Sequence, residues 1–113
     1  MSKQYKPDQW PAWYSIPKDI ADAMLRNGLV DTSWRNDICA SFTLEESDQC
    51  LRIWIEAKDF EDRETENELR YVVARYTADM EHIEDLRETD NLIEAFGCVM
   101  MHKSFNGEWS TRQ

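Results

Sequence analysis

Two histidines, three cysteines and a surplus of carboxylates are the side chains of this 113-residue chain that could do chemistry. His82 stands among Glu81, Glu84 and Asp85, and His102 follows further along. Two imidazoles and a carboxylate are the ligand set of a catalytic zinc site, so a metal-dependent hydrolase is one reading of these residues. Histidines among surface acids are far more often simply solvated, and neither a metal nor a cofactor is expected. Cys98 could attack a substrate only with a base beside it, and the apolar residues around it point to a buried, inert thiol. A Gly-rich phosphate loop, His-Glu-x-x-His and Gly-x-Ser-x-Gly are all absent from a chain with only three glycines. Carboxylates are so numerous that none stands out as a general acid. The expectation is a protein that is not an enzyme.

The charge is more informative than any motif. Between Glu45 and Glu94 there are 17 acidic and 6 basic residues, which accounts for more than the whole net charge of −10. Nucleic acids and anionic membranes would be repelled by that middle region, and a basic partner attracted. The densest part is 58–68, with Asp59, Glu61, Asp62, Glu64, Glu66 and Glu68. It reads as a solvated loop. The alternating ligands and sixth-position glycine of a calcium loop are missing from it.

The elements that position these residues follow from hydrophobic patterning. From Ile38 to Ala57 the chain alternates with period two on both sides of a polar turn, which predicts a β-hairpin. Placing Leu44 opposite Leu51, Phe42 opposite Ile53 and Ala40 opposite Ile55 gathers all the apolar side chains on one face. The ends Glu45 and Cys50 are then closed by residues 46–49. The other face carries Ser41 opposite Trp54 and Thr43 opposite Arg52, with Trp54 expected under a helix or the N-terminal arm. In this register Cys39 lies roughly 20 Å along the strand from the partner of Cys50, too far for a disulfide. Free thiols and the lack of an apolar leader give a cytoplasmic expectation.

Residues 69–77 predict a third strand, interior because both its faces are apolar: Leu69, Tyr71 and Val73 against Val72, Ala74 and Tyr76. A turn at 78–81 and a charged edge strand over His82–Arg87 follow. An N-terminal helix opens at Pro17 and stops at Asn27-Gly28, with Leu29 folding back. A C-terminal helix, capped by Thr89, runs from Asp90 to about Ser104 on an apolar stripe of Leu92, Ile93, Phe96, Val99, Met100 and Lys103. Gly97 within it suggests a close approach to the sheet, and Trp109 a residue tucked back beyond it. The fold class is α+β, a four-stranded antiparallel sheet in the order αββββα. An extended aromatic and Pro-rich arm over 1–16 precedes a single domain at 17–109, and 110–113 form a frayed tail.

Together these features predict a small acidic binding protein. It would occupy the basic surface of a nucleic-acid-handling protein as a charge mimic and inhibitor, without contacting nucleic acid or membrane itself. Charge would come from Glu56 and the six acids of 58–68, and specificity from Trp34, Arg35, Trp10 and Trp13. Such acidity in other proteins often serves only solubility. A homo-oligomeric accessory protein, pairing through Trp54, the arm or an uncovered sheet face, is the alternative.

Overall fold

The alternating stretch folds as the hairpin its pattern predicts, in a computed structural model that describes residues 4–11, 14–34, 39–57, 61 and 69–103. Along the chain run β1 (Gln4–Tyr5), β2 (Ile16–Pro17), α1 (Lys18–Arg26), β3 (Val30–Asp31) and β4 (Ala40–Glu45). Then come β5 (Gln49–Ile55), β6 (Tyr71–Thr77), β7 (His82–Thr89) and α2 (Leu92–His102). In the β4–β5 hairpin Leu44 faces Leu51, Phe42 faces Ile53, Ala40 faces Ile55 and Glu45 faces Cys50. Its turn closes one residue tighter than four free loop residues would: Gln49 already belongs to β5, and the Glu46 amide donates to the Gln49 carbonyl at 2.8 Å.

The architecture is α+β, but the sheet has five strands rather than four. Its order is β3-β4-β5-β6-β7, a meander of antiparallel neighbours, with β1 and β2 forming a separate two-stranded ribbon. The extra strand is β3, which the sequence presents as connection. Val30 pairs with Thr43 and Asp31 with Phe42. Two residues are too few to show a period, so no alternation marks β3, β1 or β2.

One face of the sheet holds the core. Phe42, Leu51, Ile53, Ile55 and Val73 are fully buried, against Ala21 and Met24 of α1 and Leu92, Ala95 and Val99 of α2. From the arm, Tyr14 and Ile16 join them, with Tyr5 and Trp10 packed alongside. The Tyr5 ring lies 5.7 Å from that of Phe42, and Trp10 lies 4.8 Å from Tyr14. Arg70 binds the arm to the sheet: it donates to the carbonyls of Ser15 at 2.9 Å and Glu56 at 2.8 Å. The described part of the arm is thus part of the core rather than an appendage.

Both helix ends obey local chemistry. Helix α1 stops in a two-bond reversal: Leu29 N–H donates to the Met24 carbonyl at 3.1 Å and Gly28 N–H to that of Leu25 at 3.2 Å. Gly28 has φ +95, a conformation that favours glycine, and a Cβ there would sit 3.2 Å from Leu44 Cδ1, so that side chain would have to give by a few tenths of an ångström. At the start, Pro17 is the cap residue and the end of β2 rather than the first helical residue. The cap of α2 is Asn91, not Thr89: Asn91 Oδ1 accepts from the amides of Ile93 at 2.9 Å and Glu94 at 3.3 Å. Thr89 is held extended in β7 opposite Tyr71, which removes it from the cap position. Its hydroxyl accepts from the Asn91 amide at 3.0 Å and donates to Glu94 at 2.9 Å.

The buried face of α2 is Leu92, Ala95, Cys98 and Val99, rotated from the predicted stripe so that Ile93 is 63% exposed. Gly97 makes no close approach to the sheet, since a Cβ built on it meets nothing within 4 Å. Trp109 and most of 58–68 lie outside the described residues. No helix among the described residues is long and apolar enough to cross a membrane.

Candidate functional site

Two surfaces of the sheet carry polar chemistry. The first is the face opposite the helices, where Ser41 and Thr43 of β4, Arg52 and Trp54 of β5, and Val72, Ala74 and Tyr76 of β6 share one side by register. The expected cover over Trp54 is supplied by its own sheet neighbours. Trp54 Nε1 donates to the Tyr76 hydroxyl at 2.7 Å, and the Arg52 guanidinium lies 4.6 Å from the Trp54 ring centre. Such a stack is worth about 0.5–1 kcal/mol where water still reaches it.

Arg52 Nε donates to Thr43 Oγ1 at 3.0 Å, and the Thr32 hydroxyl lies 2.8 Å from those of both Ser41 and Thr43. Ser41 and Thr43 are buried, so this hydroxyl chain satisfies groups that would otherwise be costly to bury. None of these hydroxyls is hydrogen-bonded to a histidine or carboxylate among the described residues. The hydrogen-bonded chain ties Thr32 to β4 and β4 to β5 on this face.

The second surface is the edge formed by β7 and the start of α2. Asp79, Glu81, Glu84, Asp85, Glu88, Asp90 and Glu94 are all exposed there, against a single arginine, Arg87, in the same stretch. Two arginines neutralise part of it: Arg75 pairs with Glu84, and Arg87 lies 2.7 Å from Glu94. His82 Nε2 lies 2.9 Å from Asp85. The Arg87 hydrogen bond, followed by that of Thr89, holds the Glu94 carboxyl below its ordinary pKa. Register shifts after Val73 and after Arg75 put irregularities into the β6–β7 pairing. They leave His82, Asp85 and Glu88 opposite Tyr76, Ala74 and Val72, on the same side as Trp54. Charge and bulges together keep this outer edge from pairing with another strand indiscriminately.

The residues singled out from the sequence fall unevenly. Glu61 is exposed and Trp34 is 55% exposed. Glu56 is only 2% exposed, so its carboxylate does not belong to the accessible acidic surface. Trp10 is half-buried against Tyr14, its indole N–H enclosed without a hydrogen-bond partner among the described residues. Asp59, Asp62, Glu64, Glu66, Glu68, Arg35 and Trp13 lie outside the described residues. The acids of β7 had a signal of their own, seven acids to one base over residues 79–94. Reading that strand only as a protected edge passed over it.

Among the described residues, no three His, Cys, Asp or Glu side chains gather as a metal would need. His82 engages Asp85, while His102, the last residue of α2, accepts from Gln49 Nε2 at 3.2 Å through its carbonyl. All three cysteines are buried and unbridged, and burial pushes the thiols of Cys50 and Cys98 up in pKa, away from nucleophilic use. Neither a protein-family model, nor a curated protein, nor a solved structure matches this chain.

Proposed function

We propose that the chain is a non-catalytic binding protein of the cytoplasm, whose acidic β7 edge occupies the basic surface of a nucleic-acid-handling partner and blocks it. The observation that carries this reading is the run from Asp79 to Glu94: seven exposed carboxylates and one arginine on the turn before an edge strand, the strand itself and the helix start that follows it. Successive side chains on a strand point to opposite faces, so same-face positions recur about every 6.6 Å. Asp85 and Glu88, opposite Ala74 and Val72, present their carboxylates on the Trp54 side, where a Lys/Arg groove can meet them. The sheet behind them holds that spacing fixed, which a disordered acidic tail would not. Trp34, exposed at the opposite side of the meander beyond β3, is the candidate for aromatic specificity.

The experiment is affinity capture from the source cell at low and high salt, followed by competition with duplex DNA. The proposal expects a nucleic-acid-binding partner that is released by salt and by DNA. Replacing Glu81, Asp85 and Glu88 by lysine should abolish capture with the fold intact. A second variant reversing Glu61, Asp62, Glu64 and Glu66 tests whether the 58–68 stretch contributes as well. An acidic partner, or capture that survives both variants and high salt, overturns the proposal. So does one bound zinc or manganese per chain by elemental analysis, which would put the metal-dependent hydrolase ahead of it.

A further inference from the structure

We propose that the outer stripe of α2 is a two-fold seam on which a second copy of this chain docks antiparallel, with the two helices crossing at Gly97. Helix α2, Leu-Ile-Glu-Ala-Phe-Gly-Cys-Val-Met-Met-His, has only Glu94 and His102 as charged or titratable imidazole and carboxylate side chains. A surface helix ordinarily turns a polar face outward, whereas one that is apolar all round is normally covered on all sides. Among the described residues the sheet and α1 pack against α2, and Ile93, Gly97 and Met101 are left exposed. Ile93 at 63% and Met101 at 77% are the most exposed large apolar residues among those described, and Gly97 between them is exposed too.

The spacing selects the occupant. Ile93, Gly97 and Met101 stand at i, i+4 and i+8, so they line one face of the helix, each large residue four positions from the glycine. A two-fold contact requires that if residue i touches residue j, then j touches i. An antiparallel pair centred on Gly97 satisfies this with Ile93 of each copy against Met101 of the other. A Cβ at Gly97 would meet nothing within 4 Å, so the centre of the stripe is a notch where a second backbone can come close.

Charge fixes the direction. Asp90 and Glu94 lie at the start of α2, and His102 and Lys103 at its end. Only the antiparallel arrangement sets acids beside Lys103 of the second copy and opposes the helix dipoles favourably. The β7 edge is another place where two copies could join, but with three carboxylates to one arginine its net negative charge opposes self-pairing.

An 11-residue helix spans about 16 Å, so the seam buries less than the ~800 Å² per partner of a standard stable interface. The dimer is therefore weak and concentration-dependent. Each copy carries a net charge of −10, which opposes association, so added salt strengthens the dimer. Binding of a basic partner through β7 responds to salt in the opposite sense, and the two proposals can fail separately.

The test is sedimentation equilibrium of the full chain from micromolar to millimolar concentration, at low and high salt. The expected mass rises from one chain towards two, further at high salt. The variant Ile93→Glu/Met101→Glu, both sites being exposed, should keep its circular dichroism and remain at one chain throughout. For geometry, Gly97→Cys should give a covalent dimer on mild oxidation, since the introduced thiols meet at the two-fold axis. Ile93→Cys should give none, because that position meets Met101 rather than itself. A single-chain mass at every concentration, a dimer that survives both glutamates, or Ile93→Cys cross-linking while Gly97→Cys does not, overturns the seam.

Discussion

β5 and β7 are strands of the same sheet, separated only by β6, yet they obey different rules. In β5 the core-facing residues Leu51, Ile53 and Ile55 are fully buried, and on the opposite side Cys50 is buried and Arg52 and Trp54 are half-buried. In β7 six of the eight residues are exposed, Leu86 is half-buried and Thr89 alone is buried. β5 is therefore specified by packing. β7 is specified by its hydrogen bonds to β6 and by what its side chains avoid: self-pairing, and neutrality. The difference divides the molecule into a part that holds the fold and a part free to carry a functional charge pattern.

The largest expected effect breaks the packed side of this comparison. Phe42→Ala should cost about 3–5 kcal/mol in urea unfolding, through lost burial and the cavity left against Ile53. Ile83→Ala on β7, half exposed, should cost well under ~1 kcal/mol. Phe42 lies on β4 opposite Ile53 of β5, so equal losses at the two sites would mean that β7 is as deeply packed as the β4–β5 hairpin.

pH separates the packed N-terminal arm from the β7–α2 junction at opposite ends of the scale. Burial, above all, raises the phenol pKa of Tyr5 and Tyr14 in the folded chain, with the Asp31 hydrogen bond adding to it for Tyr5. An unfolded tyrosine ionises near about 10, so the stabilisation is complete below that pH and is lost as pH rises beyond it. Glu94 shifts the other way. Its contribution to the β7–α2 junction is present above the ordinary glutamate value of about 4.3 and is lost as pH falls through its lower folded value. Tyrosine absorbance and circular dichroism should register a cooperative loss of fold above about pH 10. Ionisation of all the tyrosines near pH 10 with the fold retained would contradict it.

Smaller effects sharpen the boundary where β7 gives way to α2. Asn91→Ala should cost about 1 kcal/mol by removing the side-chain acceptor of two helix amides. Thermal unfolding of dilute Gly97→Ala should show a gain of up to about 1 kcal/mol, because the site is helical and a methyl group has open space. A loss there would mean that the glycine is needed for a close approach within the monomer.

How much could be read from the sequence follows the same division. The β4–β5 register, β6 as an interior strand and the Gly28 stop of α1 were all legible, because burial imposes period two and a reversal with positive φ imposes glycine. β3 and the β1–β2 ribbon were not, since two residues carry no period. In α2 both Thr89 and Asn91 are capable caps, and only the pairing of Thr89 with Tyr71 decides between them. Because that helix is apolar nearly all round, its sequence could not say which face meets the sheet, and so Ile93 was placed inside. For the site, alternation put Glu56 on the Trp54 face but could not tell that Glu56, one residue past the end of β5, is buried. Density of charge drew attention to 58–68, while the sheet edge that presents seven acids is a property of topology.

The central claim is that β7 binds a basic surface by charge held at fixed spacing. Its most direct test is a titration of the captured partner with the wild-type chain and with Glu81→Lys/Asp85→Lys/Glu88→Lys, repeated over a series of salt concentrations. The account predicts that wild-type affinity falls steadily with salt and is competed by DNA. The variant should bind roughly tenfold or more weakly, about 1.4 kcal/mol per factor of ten, with unchanged circular dichroism and a reduced dependence on salt. Equal affinities for the two chains at low salt, or binding indifferent to salt, would contradict it.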